Sequence, residues 1–252
     1  MNQQSPHTAP LRLLIATGNP HKVEEIRAIF ATRARESGAE PGFELVGLDS
    51  IAPDAPEPAE TGATFEQNAE LKARYWAQVT GLWCLADDSG LEVDALGREP
   101  GVRSARYAGF SGPRAQVDLA NNTRLLSRLG QTPAAQRLAR FVCAMALVSA
   151  GPPVRTVHLV RGTVEGRILG PGDPWFDACP PADRPRGRGS HGFGYDPLFL
   201  LPGRGLTTAE LPPREKNAIS HRGQAARTMF FHVQRAFEAL LRQVEQSAQR
   251  GG

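Results

Sequence analysis

The stretch LRLLIATGNPHK (residues 11–22) decides how the chain begins to fold. Leu11 to Thr17 is a short apolar run that reads as a buried strand, and Gly18-Asn19-Pro20 breaks it. Asn19 suits a helix N-cap and Pro20 the first helical position. Val23, Ile26, Ile29 and Phe30 then recur at helical spacing, predicting a helix to about Arg35. Working outward, Phe43 to Leu48 reads as a second strand and Pro53 to Pro58 as a stiff loop. Thr64 to Gln67 has capping-box form and opens a helix bearing Leu71, Tyr75, Trp76 and Val79 on its apolar face. Trp83–Ala86 and Leu91–Ala95 read as two strands flanking the turn-like Asp87-Asp88-Ser89-Gly90. A polar loop over 97–113 precedes a helix over 114–129. Two strands, 140–149 and 154–168, are joined by the turn 150–153. Residues 170–192, rich in Pro and Gly, predict a long surface loop. A strand over 195–201 and a helix over 220–244 complete the pattern. Strands and helices interleave, which defines an α/β class with a mixed sheet.

At 252 residues the chain suits one domain over 11–244, between a disordered extension (1–10) and a frayed tail (245–252). No apolar run is long enough to span a bilayer, and Met1 to Pro10 lacks the layout of a secretory signal. Cys84, Cys143 and Cys179 are widely spaced with no CxxC, arguing against a disulfide framework or zinc site and for a reducing, cytoplasmic setting. A net charge of +3 is too mild for a dense nucleic-acid-binding face. Among 29 basic residues only Lys22, Lys72 and Lys216 are lysine. In so arginine-biased a chain, each retained lysine marks a place for a compact charge on a flexible stem.

Four segments carry chemistry. In TGNPHK, a helix N-terminus offers free N–H groups and a positive dipole to phosphate, Thr17 and Asn19 add hydrogen bonds, and Lys22 adds charge; the alternative is an ordinary capped turn. ADDSG places Asp87 and Asp88 at a strand end, pointing to opposite faces. One of the pair can hold a metal or orient water while the other anchors the turn, and Glu60 supplies a further acid; oxygen-only ligands favour Mg²⁺. GFGYDP (192–197) offers Phe193 or Tyr195 for stacking on a ring and Asp196 as an acceptor. EKNAISHRG (215–223) gathers Lys216, His221 and Arg222 as donors for anionic or carbonyl groups. Together these form the inventory of a nucleotide phosphohydrolase.

In order along the chain, TGNPHK, ETGATFEQNAELKA, ADDSGLEVDAL, GVRSARYAG, GFGYDPLF and EKNAISHRGQA resemble the inosine triphosphate pyrophosphatase family, the non-canonical purine NTP (dITP/XTP) pyrophosphatases. The likeness runs from about Leu11 to Leu241. It implies an elongated mixed sheet flanked by helices, two lobes with the active site in the cleft between them, and a homodimer. It also implies Mg²⁺-dependent hydrolysis of ITP, dITP and XTP to monophosphate and pyrophosphate. By the same resemblance Thr17, Gly18, Asn19, Pro20, His21 and Lys22 hold the triphosphate, with Lys72 near it. Asp88 activates water and, with Glu60 and Asp87, addresses the metal, while Ser89 touches substrate. Phe193, Gly194, Tyr195 and Asp196 line the base pocket, and Lys216, His221 and Arg222 bind base and substrate. Three features depart from the family pattern: Ala59 stands where the acid before Thr-Gly is often doubled, residues 170–189 form an insertion, and His191 precedes Gly192 where glycine is frequent.

Two rival readings remain at this level. One is a related septum-inhibitor-like pyrophosphatase acting on pyrimidine or modified nucleotides. The other is a nucleotide- or nucleic-acid-binding protein without turnover, against which the paired carboxylates argue because they repel a polyanion unless a metal intervenes.

Overall fold

The computed structural model describes residues 11–38 and 42–250. The expected N-terminal extension and the final two glycines lie outside the described residues. In chain order the regular elements are β1 (Leu11–Ile15), α1 (Pro20–Ser37), β2 (Phe43–Gly47), α2 (Leu48–Ile51), α3 (Phe65–Thr80), β3 (Trp83–Val93) and α4 (Arg114–Leu129). They continue as β4 (Leu138–Val148), β5 (Thr156–Ile168), α5 (Pro174–Ala178), β6 (Phe199–Leu201), β7 (Leu206–Thr207), α6 (Pro213–Ile219) and α7 (His221–Arg250). Among the described residues the strands form one sheet in the order β2-β1-β3-β4-β5-β6-β7. β1 is parallel to both neighbours and the later pairs are antiparallel, so the sheet is mixed as expected.

Period-two alternation assigns the two faces of the sheet. Leu13, Ile15, Leu85, Cys143 and Met145 pack against Ile26, Ile29 and Phe30 of α1 and Met229, Phe230, Val233 and Phe237 of α7. Leu14, Ala16, Cys84, Ala86, Val142 and Ala144 pack against Phe65, Ala69, Ala73 and Trp76 of α3 on the other face. A third cluster sits at the far end of the sheet, where Leu91, Val93 and Phe141 meet Leu125 and Leu129 of α4, Tyr195 and Phe199. The cleft opens between that far end and the α1 end.

The sheet departs from the sequence reading where the site lies. Asp87 to Gly90 is no turn: β3 runs unbroken, with Asp87 opposite Met145, Asp88 opposite Ala144 and Gly90 opposite Val142. The local turn preference of Asp-Asp-Ser-Gly gives way to ten consecutive pairings with β4, a tertiary effect that overrides propensity. β1 pairs with β3 only from Leu13–Trp83 to Ile15–Leu85. Beyond Leu85, therefore, β3 keeps β4 on one side and loses its strand neighbour on the other. That gap lies at the carboxyl end of β1, the strand flanked by both β2 and β3, where open α/β sheets place their ligands.

Smaller departures share one cause, short segments whose order comes from packing. The loop over 97–113 contains a 3-10 helix at Gly101–Arg106, and the loop over 170–192 contains α5 and a 3-10 turn at Arg184–Arg186. Arg137, fully buried, ties the α4–β4 connection to the entrance of the latter region by donating to the carbonyls of Gly130, Thr132 and Leu169. The strand expected over 195–201 begins as a 3-10 turn at Asp196–Leu198. The expected last helix is α7, beginning at His221 and continuing to Arg250, and a short helix not expected from sequence, α6, precedes it across Ser220.

Candidate active site

The N-terminus of α1 forms one wall of the cleft. Asn19 caps it, accepting from the His21 N–H at 3.1 Å, and the Asn19 N–H donates to Thr17 Oγ1 at 3.3 Å. The capping box expected of α3 is present, with Thr64 and Gln67 exchanging hydrogen bonds. Along α3, Asn68 and Lys72 fall on the buried face and aim polar groups at β3. α4 secures the opposite wall. Asn121 binds the carbonyls of Ser104 and Ala105 and the Ala108 N–H, while Asn122 and Asp118 bind the Gly194 carbonyl and N–H respectively.

Between these walls lies a cavity of about 840 Å³. Its lining includes Thr17, Gly18, Asn19, Pro20, His21, Lys22, Glu60, Lys72, Asp88 and Ser89 on one side and Phe193, Gly194, Tyr195, Asp196, Lys216, His221 and Arg222 on the other. Every site residue read from the sequence lines it except Asp87, which lies behind the wall in contact with Lys22 and Arg222.

The adjacent aspartates have different surroundings. Asp87 Oδ2 lies 3.1 Å from Lys22 Nζ and accepts from Arg222 Nε and Nη2, each at 3.3 Å; its Oδ1 has no hydrogen-bond partner. Burial pushes its carboxyl up, but Lys22, Arg222 and Lys72 outweigh that and hold it well below the usual carboxylate range. On the α3 side, Asp88 Oδ2 accepts from Asn68 Nδ2 at 3.0 Å, and Oδ1 lies 3.6 Å from Lys72 Nζ. Burial raises the Asp88 carboxyl above its ordinary value, helped by the Glu60 charge and only partly opposed by Lys72 and Lys22. Glu60 accepts from Lys72 at 2.7 Å and from Arg106 at 3.0 Å; despite burial, these cations lower its pKa.

A second buried network serves the other end. Lys216 Nζ meets Asp196 Oδ2 at 2.8 Å and Glu25 Oε1 at 3.1 Å, while Arg222 binds Glu25 and donates to Ser89 Oγ at 2.8 Å. Burial and the nearby Arg222 and Lys216 charges push the His221 pKa well below its usual value, so this imidazole is neutral at pH 7. It stacks on Phe141 with centroids 4.9 Å apart, and its Nδ1 is buried without a partner. Tyr195 is tied down in the wall, its hydroxyl donating to the Ser104 carbonyl, which leaves Phe193 as the available ring. Lys216 and Arg222 stand 5.2 and 5.7 Å from the Phe193 centroid, and His21 stacks on it at 5.5 Å. His21 therefore sits at the ring end of the cleft.

The sequence reading missed Glu25, Asn68, Arg106 and Asp118 in this arrangement. Glu25 falls one turn after Lys22, and Asn68 interrupts the apolar face of α3, so both carried a positional signal.

The oxygen chemistry needed for Mg²⁺ is present. Asp88 and Glu60 both approach Lys72 on the cavity wall, and Mg²⁺ binds through one or two carboxylates together with substrate phosphates. Among the described residues, no group of three or more His, Cys, Asp or Glu forms a self-sufficient metal cage. Two carboxylates on the cavity wall suit a cation that takes its remaining ligands from substrate phosphates.

A helix N-terminus with lysines and paired carboxylates at one end, and a cationic ring slot at the other, define a nucleotide-handling α/β protein. The comparisons narrow the class: the Ham1 family profile matches residues 13–232, and the chain belongs to that family. A dITP/XTP pyrophosphatase of Exiguobacterium sibiricum is 44% identical over 219 residues, covering 87% of this chain and 95% of the relative. One from Cutibacterium acnes is 46% identical, covering 86% and 94%. Among solved structures, the Staphylococcus aureus Ham1 protein gives a TM-score of 0.67 at 36% identity, covering 88% of this chain and 97% of that one. A nucleoside-triphosphatase / dITP/XTP pyrophosphatase of Mycobacterium abscessus gives 0.62 at 42% identity, covering 87% and 97%.

Proposed function

We propose that this protein hydrolyses the purine triphosphates ITP, dITP and XTP to the monophosphate and pyrophosphate, removing them from the nucleotide pool. The observation that carries this reading is the cavity itself, which joins a carboxylate–lysine end to an aromatic, donor-rich end. The family relatives named dITP/XTP pyrophosphatases support the substrate class.

The triphosphate lies against the start of α1, where Thr17, Asn19, the helix dipole and Lys22 meet its charge. The purine stacks on Phe193, and Lys216, His221 and Arg222 address its 6-oxo group. Adenine presents an amino donor there, leaving buried donors unpaired, a mismatch that discriminates strongly. Asp88, on the cavity wall, orients water for in-line attack at the α-phosphorus and accepts its proton. The bond from the α-phosphorus to the α–β bridging oxygen breaks, and Lys22 and Lys72 meet the charge on the departing pyrophosphate. Asp88 and Glu60 would hold Mg²⁺, which when bound neutralises phosphate oxygens and polarises the reacting phosphoryl group. Asp87 serves instead as the counter-charge that fixes Lys22 and Arg222. The family likeness also supports a homodimer, tested by sedimentation against the 27.2 kDa chain. No helix among the described residues is long and apolar enough to cross a membrane.

The test is pyrophosphate release with Mg²⁺ from ITP, dITP and XTP against ATP, GTP, dTTP and UTP. Strong preference for the first three is expected. Preference for dTTP or UTP, or release from none, would overturn the reading.

A further inference from the structure

One buried amide fastens together the two segments that carry the cleft carboxylates. Asn68 of α3 is wholly buried. Its Nδ2 donates to Asp88 Oδ2 at 3.0 Å, and its Oδ1 accepts from the Gly62 N–H at 2.7 Å, two residues past Glu60. The side chain therefore bridges β3 and the Glu60 loop, using a donor toward one and its acceptor toward the other. Neither aspartate nor leucine has that pair of functions in the same shape.

The approach is close. A Cβ on Gly62 would stand 2.6 Å from Asn68 Oδ1 and 3.0 Å from the Asn68 backbone nitrogen, so a side chain there forces the loop away. The start of α3 does not need this contact, because Thr64 and Gln67 already complete its capping box. One turn along the same helix, Lys72 draws on the same two carboxylates by charge, 2.7 Å from Glu60 and 3.6 Å from Asp88. α3 thus holds the pair twice: Lys72 sets charge, and Asn68 sets orientation. Groups that orient metal ligands matter nearly as much as the ligands themselves.

We infer that Asn68 is a positioning residue that fixes Asp88 and the Glu60 loop in register for a hard divalent cation. The inference rests on the metal role proposed above for those carboxylates.

The test uses the full chain saturated with a non-hydrolysable ITP analogue and Mn²⁺ as the probe, counting free Mn²⁺ by electron paramagnetic resonance against the analogue alone, because the two carboxylates share the cation with substrate phosphates. The Mg²⁺ dependence of pyrophosphate release from ITP is measured in parallel. Asn68→Ala is expected to weaken Mn²⁺ binding about tenfold or more, the usual range for a ligand-orienting group. The Mg²⁺ concentration for half-maximal rate should rise in step, while KM for nucleotide at saturating Mg²⁺ stays within about twofold, the signature of lost metal rather than substrate binding. Gly62→Ala strains the same contact from the loop side without opening a cavity, its methyl also meeting Gln67 Cβ at 2.8 Å, and gives a second variant if Asn68→Ala does not fold. Asn68→Leu, similar in volume but with neither donor nor acceptor, should weaken Mn²⁺ affinity as Asn68→Ala does. Lowered thermal stability with unchanged Mn²⁺ affinity and Mg²⁺ dependence in these variants would overturn the role of Asn68 alone. A wild-type chain that binds no Mn²⁺ and needs no divalent cation would instead remove the metal reading beneath it.

Discussion

Asp87 and Asp88 are the same residue type at neighbouring positions of one strand, yet they belong to different halves of the molecule. Asp87 faces α1 and α7, where Lys22 and Arg222 hold it charged and out of the cavity. Asp88 faces α3, where a neutral amide and a more distant lysine leave it underneutralised on the cavity wall. Both are buried, so burial alone does not explain why one pKa falls and the other rises. The difference is the distance and number of cations on each face. A strand can thereby separate structural and reactive carboxylates by one residue, because its side chains alternate.

The sharpest way to break this comparison is to neutralise each aspartate in turn. Asp88→Asn should lower kcat by about 10²–10⁴-fold, the scale of a positioned acid–base group, while circular dichroism and nucleotide binding stay near wild type. Asp87→Asn should act mainly on stability. Removing one partner from a buried pair leaves uncompensated charge, so urea unfolding should show a loss of about 3 kcal/mol or more.

Next in size is the ring end. Phe193→Ala should raise KM for ITP and XTP about tenfold, since stacking of one base is worth about 1–3 kcal/mol, with little change in kcat. An effect on kcat alone would place Phe193 nearer the chemistry than the base.

The pH dependence should separate the aspartates by sign. Asp87, depressed in the folded state, contributes stability above its unfolded pKa that is lost only as pH falls through its lower folded value. Asp88, raised in the folded state, has the opposite linkage: its burial disfavours the folded charged form, and protonation on acidification relieves that cost. Its protonation also removes the base, so activity should fall on acidification while the fold persists, because Asp87 stays charged to lower pH. Coincident activity loss and unfolding would contradict this. The smallest effect should come from Arg106→Gln, whose half-exposed pair with Glu60 is worth less than about 1 kcal/mol in thermal unfolding.

Much of this was legible in sequence, for reasons that differ by element. The β1–α1 turn carried its own signals in Asn19 and Pro20, and α3 in Thr64 and Gln67, because caps are local. The alternation rule already separated Asp87 from Asp88. It did not reveal which face had the cations, because Lys22 and Arg222 meet Asp87 only after α1 and α7 pack on one side of the sheet. The unbroken course of β3 through Asp-Asp-Ser-Gly was hidden for the same reason, its pairing partner lying more than fifty residues away in β4. Glu25 and Asn68 look like an exposed helix charge and a misplaced polar residue until their partners arrive from distant segments.

The most direct measurement is kcat for pyrophosphate release from ITP, per mole of folded protein, in Asp88→Asn and Asp87→Asn side by side. The expected result is a loss of about 100-fold or more in Asp88→Asn, with Asp87→Asn retaining kcat within about tenfold of wild type. Near-normal turnover in Asp88→Asn beside a folded but inactive Asp87→Asn would contradict the division of labour between the two faces.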